Sequence, residues 1–345
     1  MKLGILLDYS GRDVVLPMDT ILEAEKLGFD SVWVAEAYSS DAISMAAYIL
    51  AQTTTIKVGT AIMQIPARTP ANAAQTAMTL AQLSGGRFIV GLGASGPQVV
   101  EGWHGVPYGK PVQRSREYIQ IMRKLMAREK SEFDGQVYQL PCTGPGATGL
   151  GKPLKSILKA ETNTPIYSAS FTPGGLRMSA EVADGVIPVM VSPQKFDILR
   201  GPLEEGFAKA EGDKGFHNFD VAPFVSVSYG DDLEACRRPV KEFLALYVGG
   251  MGAKSKNFYN DFAKKLGYVE EAEAIQDLFL AGKKEEAIAA VPNALIDEIA
   301  LVGDEKRIRE QAEKWKELES QGMLSTMICS VPNPEALPLL VDIFK

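Results

Sequence analysis

The sequence is poor in the residues that most often hold metal ions. It contains two histidines and three cysteines among its 345 residues. The histidines are His104 and His217, and the cysteines are Cys142, Cys236 and Cys329. These positions are far apart and show none of the short spacings that are typical of metal sites, which argues against a metal centre. The odd number of widely spaced cysteines favours reduced thiols, and we therefore predict a cytoplasmic protein without a metal.

Excess positive charge and long apolar runs are also missing. The net charge is −7 and the pI is about 5.2, which argues against nucleic acid or an anionic membrane surface as a partner. No apolar run approaches the roughly 20 residues of a membrane helix. The first residues, MKLGILLDYSGRD, form too short an apolar run for a secretory signal. What remains is an ordinary globular composition, 46% hydrophobic and 23% charged, with ample material for a large core.

Strand-like and helix-like segments alternate from the first residue and form eight strand–helix units. The strand-like runs are KLGILLD, SVWVAE, IKVGTAI, RFIVGLGAS, TPIYSAS, GVIPVMV, DVAPFVSVSYG and LSTMICSV. They are continuous apolar runs, as expected when helices cover the sheet. Eight units in a chain of this length predict an α/β protein with the (β/α)8 TIM-barrel fold, and a doubly wound sheet is the alternative.

Two stretches interrupt the alternation, at about residues 129–163 and 249–292. The first contains the loop-like CTGPGATGLGKP, and the second is polar with a mainly helical pattern. We interpret both as insertions in βα loops, which would lie over the active-site face of a barrel as lids or substrate walls. Residues 303–322 have the pattern of an amphipathic helix that packs on the outside of the barrel. Residues 1–345 are predicted to form one domain.

The stretch GLGASG, at residues 91–96, fits the glycine fingerprint of a dinucleotide-binding fold. That fingerprint belongs in the first strand–turn–helix unit, with an acidic residue about 20 positions later at the end of a strand. Here it closes the fourth strand, Pro97 disturbs the turn, and Glu117 lies within a helical pattern. We therefore interpret these glycines differently: they keep the end of a barrel strand free of side chains, so that the backbone can approach a planar ligand or a phosphate.

Several ordered blocks resemble the bacterial-luciferase-like flavin and deazaflavin (coenzyme F420) oxidoreductases over nearly the whole chain. They are LGFDSVWVAEAY, TTIKVGTAIMQIPARTPANAAQTAMTLAQLSGGRFIVGLGASGP, EVADGVIP and ALVGDEKRIREQAEKW. The similarity is strongest to the F420-dependent branch. It implies a barrel, commonly a homodimer, that binds F420 at its C-terminal face and acts on a small-molecule substrate.

The resemblance also implies positions for the cofactor. In the family the third strand ends in a bulge with a non-prolyl cis peptide bond behind one face of the deazaflavin, and the alignment places this bond at Ala61–Ile62. Gln64, Gly93 and Ser95 are further candidates, because they too lie where the third and fourth strands end.

An anion site is predicted in SASFTPGGLRMS, after the fifth strand-like run. Ser168 and Ser170 end the strand, and Gly174 and Gly175 begin the following helix. Free N–H groups and the helix dipole at such a position favour an anion. In the family this loop binds the cofactor phosphate.

Three residues are candidate catalytic groups. Asp8 and Glu36 end the first two strands, where a carboxylate is typical of a site residue and is able to donate a proton if burial raises its pKa. His104 follows the fourth strand and is the third candidate acid. The related sugar-phosphate dehydrogenases have Asp-His where this chain has Glu36-Ala37, and Glu where it has Gly96. Their acid–base pair is therefore absent, and their chemistry does not transfer.

Three functions remain open from the sequence. The leading one is an F420-dependent oxidoreductase that transfers a hydride between the deazaflavin C5 and a small organic substrate. The second is a luciferase-like monooxygenase that uses reduced FMN and O₂, since FMN and F420 are both planar tricycles with a phosphorylated tail. The third is a non-enzymatic F420-binding protein, which the missing acid–base pair motivates.

Overall fold

The protein folds as a (β/α)8 barrel, which confirms the predicted fold class. A computed structural model describes residues 1–8, 11–159 and 163–345, so residues 160–162 of the first predicted insertion lie outside the described part. Within that part the parallel barrel strands are Lys2–Leu7, Ser31–Val34, Lys57–Thr60, Phe88–Gly93, Ile166–Ser168, Gly185–Val186, Phe224–Tyr229 and Thr326–Ser330. They coincide with the eight strand-like runs of the sequence.

The barrel closes through its seventh and eighth strands. The eighth strand pairs with the first, with Thr326 opposite Lys2. The seventh begins as the segment Asp220–Val221, which pairs with the sixth strand, and continues as Phe224–Tyr229, which pairs with the eighth. The intervening residues keep the ladder, because the Ala222 N–H donates to the Val186 carbonyl at 2.9 Å.

Short strands and many helices complete the described structure. The short strands are Met63–Gln64, Phe133–Asp134, Gln139–Leu140 and Leu301–Gly303. The α-helices are Met18–Lys26, Ala42–Gln52, Pro70–Leu83, Pro97–Gly102, Pro111–Met126, Pro173–Val182, Asp197–Phe207, Leu233–Leu244, Phe258–Lys265, Val269–Leu280, Lys284–Ala289, Asn293–Ile299, Glu305–Ser320 and Ala336–Phe344. Single 3₁₀ turns occupy Ile65–Ala67 and Pro193–Lys195, and a π-helical stretch occupies Ala245–Gly250. No helix of the described residues is long and apolar enough to span a membrane.

The barrel interior is filled by a small apolar cluster that is separate from the larger core under the helices. Its buried members are Trp33, Ile89, Tyr167, Ile187, Ala222 and Ile328. Trp33 is the largest of them, and two glycines on the neighbouring strands make room for it. A Cβ atom on Gly59 would lie 2.3 Å from the indole ring, and one on Gly4 would lie 2.8 Å from its nitrogen. The interior is therefore a packed core and not a pore.

The first insertion does not lie where the sequence analysis placed it. It leaves the C-terminal end of Pro111–Met126 and returns to the fifth strand, so it is an αβ connection that starts at the face opposite the barrel mouth. The hairpin of Phe133–Asp134 and Gln139–Leu140 then packs along the helix, where Glu117 accepts hydrogen bonds from the backbone of residues 136–138 at 2.7–2.9 Å. The prediction of a βα-loop lid is therefore wrong for this segment.

The second insertion directly follows the helix Leu233–Leu244 and the π-helical stretch Ala245–Gly250, so it too is not joined directly to a barrel strand as predicted. Its contacts nevertheless place it beside the loops after the fifth and sixth strands, at the mouth. Helices Phe258–Lys265, Val269–Leu280 and Lys284–Ala289 lie between the seventh strand and the helix Glu305–Ser320. Glu298 ties this region to the loop after the sixth strand. Its carboxylate accepts hydrogen bonds from Ser192 at 2.5 Å and from Lys195 at 3.0 Å, and a further one from Tyr268 at 2.8 Å.

The helix Glu305–Ser320 packs on the outside of the barrel, as its sequence pattern predicted. Its apolar positions Ile308, Ala312, Trp315 and Leu318 are all buried. Asp304 caps its first turn by accepting a hydrogen bond from the Arg307 N–H at 2.8 Å. The predicted homodimer stays a prediction.

Glu25 connects the first helix to the loop before the third strand and supports a pH-dependent prediction. One of its oxygens accepts hydrogen bonds from the N–H groups of Thr54, Thr55 and Ile56 at 2.6–2.9 Å. Burial alone raises the pKa of this carboxyl, but the bonds from Ile56, Thr55 and Thr54 outweigh burial and lower the pKa to about 2. A lowered pKa means that the stabilisation is complete above the ordinary value and is lost as the pH falls towards 2.

We expect Glu25→Gln to reduce the free energy of unfolding at pH 7 by about 1–2 kcal/mol, since solvent screens part of the contribution. The difference from the wild type should shrink as the pH is lowered from about 4.5 towards 2. Denaturant unfolding at several pH values measures it. Glu23→Gln is the matched control, because Glu23 is exposed on the same helix and its carboxylate pairs with Lys26 at 3.5 Å. A pH-independent difference would contradict the assignment.

Candidate active site

The third strand carries a bulge where it reaches the barrel mouth. Val58 and Gly59 pair with Phe88 and Ile89 of the fourth strand. The pairing resumes at residues 63 and 64, opposite residues 92 and 93. Three residues of the third strand therefore lie opposite two of the fourth, which is the geometry of a β-bulge.

The bulge contains the peptide bond between Ala61 and Ile62, which is cis, as the family resemblance implied. Ala61 and Ile62 are partly exposed, whereas the flanking Thr60 and Met63 are buried. At the bulge, the Thr60 hydroxyl forms the hydrogen bonds that join the third strand to the fourth. It donates to the Gly91 carbonyl at 2.7 Å and accepts from the Gly91 N–H at 2.9 Å. The bulge thus presents a small apolar surface to the mouth while its backbone stays tied to the fourth strand.

The glycines of the fourth strand make room for this bulge. A Cβ atom on Gly91 would lie 1.7 Å from the Thr60 carbonyl oxygen, and one on Gly93 would lie 2.5 Å from the Ile62 side chain. The first two glycines of GLGASG therefore have a packing reason within the barrel, and no dinucleotide loop is formed. Ser95, which follows them, has a positive φ of 58° and is partly exposed at the mouth.

Glu36 is buried at the end of the second strand in an ion pair. Arg68 donates to both of its oxygens at 2.8 Å, and Arg68 also pairs with Asp41. The Gln64 backbone N–H donates to Glu36 at 2.9 Å. A carboxylate engaged by these donors holds the loops after the second and third strands together. Arg68 is committed to this pair.

Gln64 and His104 meet across the mouth. The Gln64 side chain is buried and donates to the backbone carbonyls of Glu36 at 3.2 Å and Ala37 at 2.8 Å. Its amide oxygen contacts Nε2 of His104. His104 is partly exposed, so one side of the ring is anchored in the protein and the ring still reaches the mouth. Two predicted site residues, one after the third strand and one after the fourth, are therefore in direct contact.

Asp8 lies at the end of the first strand with no hydrogen-bond partner among the described residues. It is exposed at the rim, yet the surrounding protein removes enough water from the carboxyl to raise its pKa above the ordinary value. A raised pKa suits a group that donates a proton.

The segment predicted to bind an anion begins a helix, as its sequence indicated. Thr172 caps the helix Pro173–Val182 by accepting a hydrogen bond from the Gly175 N–H at 3.3 Å, whereas Gly174 is exposed. The hydroxyls of Ser168 and Ser170 lie beside this turn, 3.4 Å from each other.

A second helix begins next to the predicted anion loop. A Cβ atom on Gly174 would lie 4.0 Å from Val112, at the start of Pro111–Met126. That helix has Lys110 at its N-cap position and no side-chain cap. Two positive dipole ends therefore meet here, which favours an anion, whereas the Lys110 ammonium donates to the Gln136 side chain at 3.2 Å. The sequence analysis missed this convergence, although Pro at the helix start and the preceding lysine were visible signals.

Aromatic side chains surround the mouth. Tyr38 and Trp103 are exposed on the loops that carry Glu36 and His104, and their ring centroids are 6.5 Å apart. On the other side, Phe171 of the anion loop packs on Tyr259 of the second insertion, with ring centroids 4.9 Å apart. The second insertion therefore contacts the predicted anion loop at the mouth. No cluster of His, Cys, Asp and Glu side chains among the described residues could hold a metal ion.

Comparison with known proteins identifies the family. The family model described as luciferase-like monooxygenase matches residues 17–322. A Mycobacterium tuberculosis protein, named provisionally as a coenzyme F420-dependent oxidoreductase, is 40% identical over 319 residues, which are 92% of this chain and 92% of that protein. The chain belongs to the luciferase-like monooxygenase family.

Two solved structures share the fold over nearly their whole length. The coenzyme F420-dependent tetrahydromethanopterin reductase from Methanopyrus kandleri aligns with a TM-score of 0.78 at 22% identity, covering 99% of this chain and 97% of that chain. An F420-dependent secondary alcohol dehydrogenase in complex with an F420–acetone adduct aligns with a TM-score of 0.74 at 19% identity, covering 99% of this chain and 98% of that chain.

Proposed function

We propose that the protein is a coenzyme F420-dependent oxidoreductase that transfers a hydride between the deazaflavin and a small organic substrate. The observation that carries this proposal is the bulge of the third strand, which presents Ala61 and Ile62 to the barrel mouth, with Ile62 packed over Gly93. A small apolar surface without projecting polar groups fits one face of a planar tricycle. The 40% identical relative, itself named for F420 dependence, supports the same cofactor.

The anion loop fits the phosphorylated tail of the cofactor. Ser168, Ser170 and the exposed Gly174 N–H would hold a phosphate, and Lys110 lies at the neighbouring helix start. Both helix dipoles favour negative charge at this place. The residues present therefore fit a ligand with an apolar ring system at one end and an anion at the other.

The chain itself supplies orientation, a shaped pocket and a proton. When bound, F420 supplies the two-electron chemistry of hydride transfer. His104 gives a proton to the substrate or takes one from it, because its ring is anchored by Gln64 and still reaches the mouth. Asp8, whose carboxyl has a raised pKa, is the second candidate proton donor. Glu36 acts by positioning, since Arg68 and the Gln64 backbone engage its oxygens.

The substrate binds between the aromatic side chains in this proposal. Tyr38 and Trp103 stand beside His104, and Phe171 with Tyr259 forms the opposite wall. Such a lining suits an organic molecule with an apolar body and one oxygen function that reaches His104.

Paired titrations with F420 and FMN test the cofactor assignment. We expect F420 to bind at micromolar concentration, followed by fluorescence and thermal shift, with no response to FMN. A secondary-alcohol and carbonyl panel, followed by the F420 absorbance, then tests turnover. Preference for FMN would overturn the proposal in favour of a monooxygenase, for which oxygen consumption with reduced FMN is the next assay. Binding of neither would overturn both enzyme assignments, and F420 binding without any turnover would leave a non-enzymatic F420-binding protein.

A charge change at Gly174 tests the anion site. We expect Gly174→Asp to weaken F420 binding by about tenfold or more, or roughly 1.4 kcal/mol, since a carboxylate would face the cofactor phosphate. The position is exposed with room for a side chain, and an acidic residue in the first turn favours the helix. Gly174→Asn is the matched neutral control and should bind nearly as the wild type. Equal affinities of the two variants would place the phosphate elsewhere.

A further inference from the structure

We propose that Gln64 is a positioning residue that fixes the tautomer of His104, so that Nδ1 is the ring atom that exchanges a proton. The contact between the Gln64 amide oxygen and His104 Nε2 carries the inference. The tautomer follows from this geometry alone, and the proton exchange with substrate rests on the proposed function.

The orientation of the Gln64 amide is determined by its other partners. Its nitrogen lies 3.2 Å from the carbonyl oxygen of Glu36 and 2.8 Å from that of Ala37, and both oxygens accept hydrogen bonds only. Rotating the amide by half a turn would bring its own oxygen against these two carbonyl oxygens and leave a buried side chain without acceptors. The oxygen of the amide therefore faces His104.

An amide oxygen is an acceptor, so the His104 ring nitrogen that contacts it carries the proton. Nε2–H donates to Gln64 in the neutral ring and also in the cationic ring. Adding or removing a proton at Nδ1 leaves this buried contact intact. Proton exchange at Nε2 would instead place a lone pair against the amide oxygen. No described residue forms a hydrogen bond with Nδ1, and the residue is partly exposed, so the proton exchange is assigned to that atom.

Gln64 is held firmly enough to serve this purpose. Its side chain is 1% exposed. Its backbone N–H donates to Glu36, whose oxygens are fixed in turn by Arg68 at 2.8 Å. The orientation of the His104 ring is thus set by a buried ion pair two contacts away.

The small number of histidines makes the tautomer directly measurable. Protein labelled with ¹⁵N in the histidine rings shows two imidazoles, from His104 and His217, and His217→Gln assigns them. We expect His104 to carry its proton on Nε2 when neutral, with a slowly exchanging N–H proton correlated to that nitrogen. Gln64→Leu should remove the slow exchange, because the acceptor of the Nε2–H hydrogen bond is lost.

The outcomes separate this inference from the proposed function. A neutral wild-type ring with its proton on Nδ1, or an unchanged Nε2–H signal in Gln64→Leu, would overturn the inference even if the enzyme turns over F420. A protected Nε2–H that depends on Gln64 would support it even if no F420 binds, in which case the proposed function fails alone. With turnover present, Gln64→Leu should lower kcat by about tenfold or more with little change in KM.

Discussion

Replacing His104 with glutamine should lower kcat by about 10²–10⁴-fold, the usual contribution of a positioned acid or base. The affinity for F420 should change little, because the ring lies beside the anchor of Gln64 and away from the anion loop. A glutamine at this position can still donate to the Gln64 oxygen, so the loop should keep its place. The rate is measured with the substrate that the alcohol and carbonyl panel identifies, and F420 binding is titrated in parallel.

His217 provides the matched control for this substitution. Its side chain is 60% exposed and lies 3.5 Å from Asp213 within one turn of chain, on a part of the surface that the proposed reaction does not use. His217→Gln should keep the wild-type kcat. If His104→Gln also keeps it, the proton comes from another group, and Asp8→Asn becomes the deciding variant.

The second large effect is expected from Gly91→Ala. The added methyl group would lie 1.7 Å from the Thr60 carbonyl oxygen, an atom of the backbone that cannot rotate away. Overpacking typically costs about 1–3 kcal/mol, and we expect this variant at or above the upper end of that range. Because the methyl group pushes on the bulge that forms the proposed cofactor surface, F420 affinity should also fall. Thermal unfolding and F420 titration measure the two effects.

Gly93→Ala differs from Gly91→Ala because its methyl group would meet a side chain and not a backbone atom. The methyl group of Gly93→Ala would meet Ile62 at 2.5 Å, and Ile62 is a side chain that can be shortened. The double variant Gly93→Ala with Ile62→Ala should therefore recover most of the lost stability, whereas Gly91→Ala has no such partner to shorten. Full stability of Gly91→Ala would contradict the packing of the bulge described above.

The barrel was predictable because its signal is local. Each strand is a continuous apolar run, and each helix shows its own periodicity, so the eight strands could be placed from the sequence. The first insertion was misplaced for a different reason. Loop composition does not say on which end of the barrel a segment lies, because that depends on its contacts with distant parts of the chain. Here the helix Pro111–Met126 precedes the insertion, which makes it an αβ connection.

The sequence predicted where the site residues lie better than it predicted which side chains they contact. The ends of the strands brought Glu36, Gln64 and Gly93 to one mouth, and the family resemblance indicated the bulge at Ala61–Ile62. Sequence reasoning did not give the ion pair of Glu36 with Arg68, which joins residues 32 positions apart. Side-chain partners at such separations depend on loop geometry that a single sequence does not specify.

The spacing of the fourth-strand glycines has a use in classifying related sequences. Residues two apart on a strand face the same side, so Gly91 and Gly93 mark one side of the fourth strand as occupied by its neighbour. A glycine pair with this spacing at the mouth end of one strand therefore indicates a bulge in the strand that comes before it. A relative with a larger residue at either position must shape its third strand differently. The two positions could therefore be used to classify related sequences by the shape of this bulge before any of them is crystallised.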